Sequence, residues 1–174
     1  MNIVLFGFKR CGKTRLGHML ASHLHRPFLD TDDLIESYFA KEQGEKADCR
    51  TIYKERGAAF FHALEKRVIA SLAGTDNAVI AVGGGAIIQP DTRSVLETMG
   101  RLVYLKAGKD TLKHRLLSGD LPAFLDPSDP EGSFDKLYAH RLPLYEKIPA
   151  LPIDTDHKTD EEIIEELWRV IRSA

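Results

Sequence analysis

The stretch Gly7-Phe8-Lys9-Arg10-Cys11-Gly12-Lys13-Thr14 restricts the fold more than any other part of this chain. It matches the phosphate-loop pattern G-x-x-x-x-G-K-[ST] without a gap. The run before it, Ile3–Phe6, is continuously apolar, as a strand buried on both faces requires. The stretch after it, Thr14–His25, puts Leu16, Met19, Leu20 and Leu24 on one helical face. Backbone N–H groups of such a turn converge on phosphate oxygens, and the helix that follows points its positive end at them. Lys13 adds a point charge toward the β- and γ-phosphates, and the Thr14 hydroxyl is a ligand for Mg²⁺. Gly7, Gly12, Lys13 and Thr14 are therefore candidate nucleotide-binding residues. Cys11 joins them as a small residue beside the helix N-terminus, where thiol pKa values tend to fall. Lys9 and Arg10 read as solvated side chains, with added charge near the nucleotide as the alternative.

The remainder of the chain alternates short apolar runs with longer helical patterns. Strands are expected at Pro27–Leu29, Ala78–Val82, Arg101–Leu105 and Leu151–Ile153. Helices are expected at Asp32–Ala40, Ala58–Leu72, Thr92–Thr98, Lys109–Leu117, Phe134–Glu146 (around Pro143) and Asp160–Ile171. That alternation means βαβ units and a parallel three-layer α/β/α sandwich. Residues 119–132 break the rhythm. They are rich in proline, glycine and aspartate, which disfavours regular structure and suggests an exposed, mobile segment. No repeat or linker divides the 174 residues, so one domain over 1–174 is expected.

Charge and cysteine content exclude several classes. Lys and Arg number 24 against 26 Asp and Glu, so no bulk charge draws the chain to nucleic acid or to an anionic membrane. There is no apolar run of membrane-spanning length, and Met1–Phe6 lacks the features of a signal peptide. Two cysteines are too few for a disulfide framework. A cytoplasmic monomer acting on a small molecule is the expectation, without nucleic-acid or membrane partners.

A phosphate loop alone does not specify a reaction. The chain is short for the switch loops of most GTPases, and a small kinase fits better. Three segments then supply an acceptor side. Asp30 and Asp32 close the second strand at the carboxyl edge of the sheet, where open α/β folds bind ligands. One carboxylate can hold the Mg²⁺ water shell while the other accepts the proton of an attacking hydroxyl. Helix capping by either aspartate is a compatible reading. Gly83-Gly84-Gly85 follows the third strand and offers bare N–H donors at close approach. Arg141, in His140-Arg141-Leu142-Pro143-Leu144-Tyr145, is the third.

Together these residues resemble the shikimate kinase family, over about residues 2–171. The phosphate loop is generic. The Asp30-Thr31-Asp32 pattern with Ile35-Glu36, the triple glycine with Ala86, and the Arg-x-Pro-Leu-Tyr stretch at Arg141 are more specific. The resemblance implies a five-stranded parallel sheet of order 2-3-1-4-5, with a mobile lid at about 116–132. It implies transfer of the ATP γ-phosphoryl group to the 3-hydroxyl of shikimate, with Mg²⁺. Lys13 and Thr14 would serve ATP and Mg²⁺, and Asp30 the Mg²⁺ side. Asp32 would bind the acceptor hydroxyl and act as base. Gly83, Gly84 and Gly85 would lie against the acceptor, Arg141 would grip its carboxylate, and Arg115 would lie near the adenine.

Two family arginines are absent. In the F-R-x-x-E pattern His62 stands for the arginine, within Phe61-His62-Ala63-Leu64-Glu65. In the lid pattern R-P-L-L, Leu121 stands for it, within Leu121-Pro122-Ala123-Phe124-Leu125. Ala58 also replaces the usual glutamate after Gly57. His62 reads equally as a carboxylate partner near neutral pH or as a packing residue. Compensation by Arg10, Arg50 or Arg56, a different hydroxyl acceptor, or a nucleotide-binding protein with little turnover are the alternatives these losses raise.

Overall fold

The computed structural model describes Met1–Ser173. Strand β1 (Asn2–Phe6) is buried along its whole length at the centre of the molecule. Five strands pair in the order β2-β3-β1-β4-β5, with β2 Phe28–Asp30, β3 Val79–Ala81, β4 Gly100–Lys106 and β5 Leu151–Asp154. Every pairing is parallel, so each crossover runs through helix and both sheet faces are covered. This is the α/β/α sandwich and strand order expected from the sequence.

Buried Asn2 locks the amino edge of the sheet. Its amide donates to the carbonyls of Thr75 (2.7 Å) and Met99 (3.0 Å) and accepts from the Ala78 N–H (2.9 Å). The connections into β3 and into β4 thereby meet β1 on one satisfied polar side chain, the condition under which a buried amide is tolerated. At the opposite, carboxyl edge lie the phosphate loop, Asp30 and the glycine triplet.

Helix α1 (Lys13–Leu24) packs Leu16, Leu20 and Ala21 inward. Helix α2 (Thr31–Gln43) starts directly at the end of β2, one residue earlier than its periodicity suggests, because Asp30 caps it by accepting from the Asp32 N–H. The largest departure from expectation is α3 (Cys49–Ser71), which begins nine residues before Ala58. It is broken at Gly57, whose backbone (φ 82, ψ 167) only glycine adopts readily. The first segment, with few apolar residues, owes its helical state to the Asp48 cap on Thr51 N–H and to Ile52 buried against α2. A second, smaller core of Ile35, Phe39, Ile52, Leu64 and Val68 joins α2 to α3.

After the glycine triplet comes a 3-10 turn (Ala86–Ile88), absent from the sequence reading, and then α4 (Pro90–Met99). Helix α5 (Lys109–Leu117) precedes turns over 119–129, and α6 (Pro130–Glu146) starts four residues earlier than expected, at a proline in its first turn. Helix α7 (Asp160–Ser173) buries Ile163, Ile164 and Leu167, and Arg15–Asp160 pairs α1 with it.

Candidate active site

The phosphate loop folds as its glycines dictate. Gly7 (φ 150) and Gly12 (φ 103) take positive φ, and a Cβ on Gly7 would meet Cys11 Sγ at 3.0 Å. Arg10 also has positive φ (69°). Lys13 Nζ donates to the carbonyls of Gly7 (3.1 Å) and Phe8 (3.0 Å), so its ammonium sits over the loop. Thr14 Oγ1 donates to Asp30 Oδ2 at 2.7 Å. Asp30 thus uses one oxygen on Thr14 and the other on the start of α2. Cys11 is buried beneath the loop, where its side chain serves as a spacer rather than facing the cleft. Arg115 donates to the Arg10 carbonyl at 3.3 Å and steadies the loop from α5.

Beside the loop opens a cavity of about 310 Å³. Asp32, His62, Gly83, Gly84, Gly85 and Arg141 all line it, although they come from four parts of the sequence. Burial pushes the Asp32 carboxyl upward, opposed by Lys9, whose ammonium lies 4.0 Å away. The glycines are required by close packing. A Cβ on Gly84 would meet Tyr145 Oη at 2.7 Å and the Gly7 carbonyl at 2.9 Å. A Cβ on Gly83 would meet Glu65 Oε1 at 2.8 Å. The same position on Gly85 lies 3.8 Å from Arg141 Nη2 and 3.9 Å from His62 Cε1, so these two side chains face one wall. Tyr145 donates to the Gly84 carbonyl at 2.7 Å and fixes the triplet to α6.

Glu65, quoted in the sequence pattern but not assigned a role there, is part of this wall. It is 3% exposed, and burial, then the negative Asp32, push its carboxyl to about 7 against the pull of Arg141. His62 Nδ1 lies 3.5 Å from Glu65 Oε2. The signal for Glu65 was its spacing: three residues from His62 on an otherwise apolar helical face. Lys9 and Arg50 also line the cavity. Lys9 is exposed, as its solvated reading has it, and its ammonium lies 4.0 Å from Asp32 Oδ2. Arg10 lines the cavity too, whereas Arg56 turns away to Glu45 (3.8 Å) and the Phe39 ring (5.8 Å). From the segment 120–124, Leu121, Pro122 and Phe124 contribute apolar surface, with Arg141 stacked over Phe124 at 5.4 Å.

A family model described as Shikimate kinase matches residues 9–172. The chain belongs to the shikimate kinase family. Its relatives include shikimate kinases of Syntrophus aciditrophicus (34% identical, covering 99% of this chain and 91% of that protein) and Symbiobacterium thermophilum (35%, covering 99% and 97%). Among solved structures, the shikimate kinase from Acinetobacter baumannii in complex with shikimate aligns with a TM-score of 0.87 and 30% identity, over 99% of this chain and 93% of that one. The Aquifex aeolicus shikimate kinase aligns with a TM-score of 0.80 and 26% identity, over 99% and 97%. Shikimate kinases are phosphotransferases acting on a hydroxyl, and this chain is such an enzyme by family. Among the described residues no helix is long and apolar enough to cross a membrane.

Proposed function

We propose that this enzyme transfers the γ-phosphoryl group of ATP to the 3-hydroxyl of shikimate. One observation carries the reading: Asp32, the glycine triplet and Arg141 share the wall of a single cavity that opens beside the phosphate loop. The residues present fit the donor. Gly7 and Gly12 take the positive φ of a turn whose backbone N–H groups converge on phosphate, and Thr14 Oγ1 and Asp30 Oδ2, 2.7 Å apart, are hard oxygen ligands suited to Mg²⁺ with its remaining waters. MgATP supplies the transferable phosphoryl group.

The chain's own residues do the remainder. Asp32 accepts the proton of the attacking hydroxyl; burial raises its pKa and makes it a better base, against the opposing pull of Lys9. Arg141 offers a planar fork to the acceptor carboxylate, with His62 alongside. Lys13 neutralises charge on the donor side. Residues 116–132 act as the lid, whose apolar face excludes water that otherwise hydrolyses ATP. Arg115, on the loop's outer side, borders the adenine. A cytoplasmic monomer is part of the same proposal.

A different small hydroxyl acceptor is the second reading, favoured by the apolar 121–124 surface and by His62. A panel of hydroxy acids and polyols separates the two. For the catalytic assignment, Asp32→Asn abolishes acceptor-dependent ADP formation while MgATP still binds; undiminished turnover removes Asp32 from the mechanism.

A further inference from the structure

The cavity lacks two family arginines, at His62 and Leu121, yet it is not short of positive charge. Lys9, Arg10, Arg50 and Arg141 all line it. Three of these are engaged. Arg141 lies at the glycine triplet and the Phe124 ring. Lys9 faces the Asp32 carboxylate. Arg10 lies under the chain at Gly119, where an added Cβ would stand 2.6 Å from its Nη2.

Arg50 differs. Its guanidinium reaches Asp120 at 3.9 Å, and that partner's side chain is 93% exposed. An ion pair at such a rim contributes little and is readily exchanged for a better anion. Asp120 directly precedes Leu121, so the guanidinium stands beside the lid position where the family pattern has an arginine. It is carried, however, by α3 and not by the lid. The α3 segment that carries it is tied to the base. Cys49 Sγ donates to the Asp32 carbonyl at 3.4 Å, and the Cys49 N–H donates to Glu36 at 2.9 Å. Asp32 and Arg50 are thereby held in a fixed relation across the cavity.

We propose that Arg50 supplies, from α3, the cation that faces the transferring phosphoryl group in place of the absent lid arginine. This rests on the reading of the chain as an ATP-dependent kinase. The charge is then resident in the cavity before the lid moves. Lid closure contributes Leu121 and Phe124, which exclude water and strengthen every charge interaction inside. Asp120 releases the guanidinium, whose planar fork matches two phosphoryl oxygens at once.

The test uses the purified full chain and an acceptor-free probe, MgADP with aluminium fluoride, followed by calorimetry beside MgADP alone. Arg50→Ala is expected to bind MgADP like the parent but to lose about ten- to hundredfold in fluoride-complex affinity, the scale of one charge-assisted hydrogen bond. With shikimate, kcat falls by a similar factor and KM for ATP holds. Adding Leu121→Arg to Arg50→Ala restores most of both, since it returns the charge by the lid route. An Arg50→Ala protein that keeps its fluoride-complex affinity overturns the proposal, as does a double variant that restores nothing. So does an Asp120→Ala loss equal to that of Arg50→Ala, which makes the ion pair a latch instead. A parent without shikimate-dependent turnover refutes the acceptor reading only, and the fluoride comparison still decides Arg50.

Discussion

Glu65 and His62 show how one substituted residue changes the electrostatics of a wall. An arginine at position 62 would keep Glu65 ionised; a histidine 3.5 Å away does so only when protonated. Burial, and then the negative Asp32, raise Glu65 to about 7 in the folded chain from about 4.5 in an open one. The folded state holds the extra proton between these values. The stabilisation is complete below the lower value and is lost as pH rises through the upper one. The parent is thus expected to lose stability from about pH 5 to pH 8 relative to Glu65→Gln, read by denaturant unfolding. In the same interval a new negative charge appears between Asp32 and Arg141, so KM for an anionic acceptor rises through about pH 7. A Glu65→Gln enzyme with the same inflection assigns the effect elsewhere. His62→Arg gives back a bidentate partner and is expected to lower the shikimate KM by about tenfold or more, as a charge-assisted pair does. A raised KM would show that His62 packs against the acceptor and does not pair with it.

At the scale of elements, the phosphate loop and the break in α3 were not equally legible. The loop could be read outright because its chemistry is backbone chemistry: Gly7, Gly12, Lys13 and Thr14 are fixed by turn geometry and by the ligand. Asp32 and the glycine triplet were legible from their place at the carboxyl ends of strands, whereas Arg141 needed the family pattern, since nothing local brings a residue of α6 to them. The Cys49–Arg56 segment was missed because its helical state comes from a cap and from tertiary burial of Ile52, not from its own periodicity. Arg50 and Lys9 were legible as charges but not as cavity residues. Arg56 shows why: it is six positions from Arg50 in the same helical segment, about 240° further round the axis, so only one of the two faces the cavity. No atom approaches a Cβ at Gly57, so Gly57→Ala tests the backbone alone. It is expected to destabilise the fold by about 1–3 kcal/mol and to lower activity by displacing the first segment. An unfolding curve and activity identical to the parent's would show that the break has no such role.

For the whole molecule, the parallel sheet positions the carboxyl edge, and the lid proposed above is the segment after α5. Its turns carry several exposed residues around buried Leu125 and the half-buried Leu121 and Phe124. Saturating MgATP with acceptor is expected to protect residues 119–129 from proteolysis while sites elsewhere are unaffected; equal cleavage with and without ligands removes the lid from the account. The central claim, that this cavity phosphorylates shikimate despite His62 and Leu121, is tested most directly by ADP release from the purified enzyme with MgATP, with and without millimolar shikimate. The account predicts release that depends strongly on shikimate and disappears in Asp32→Asn. MgATP binding with no shikimate-dependent release would contradict it.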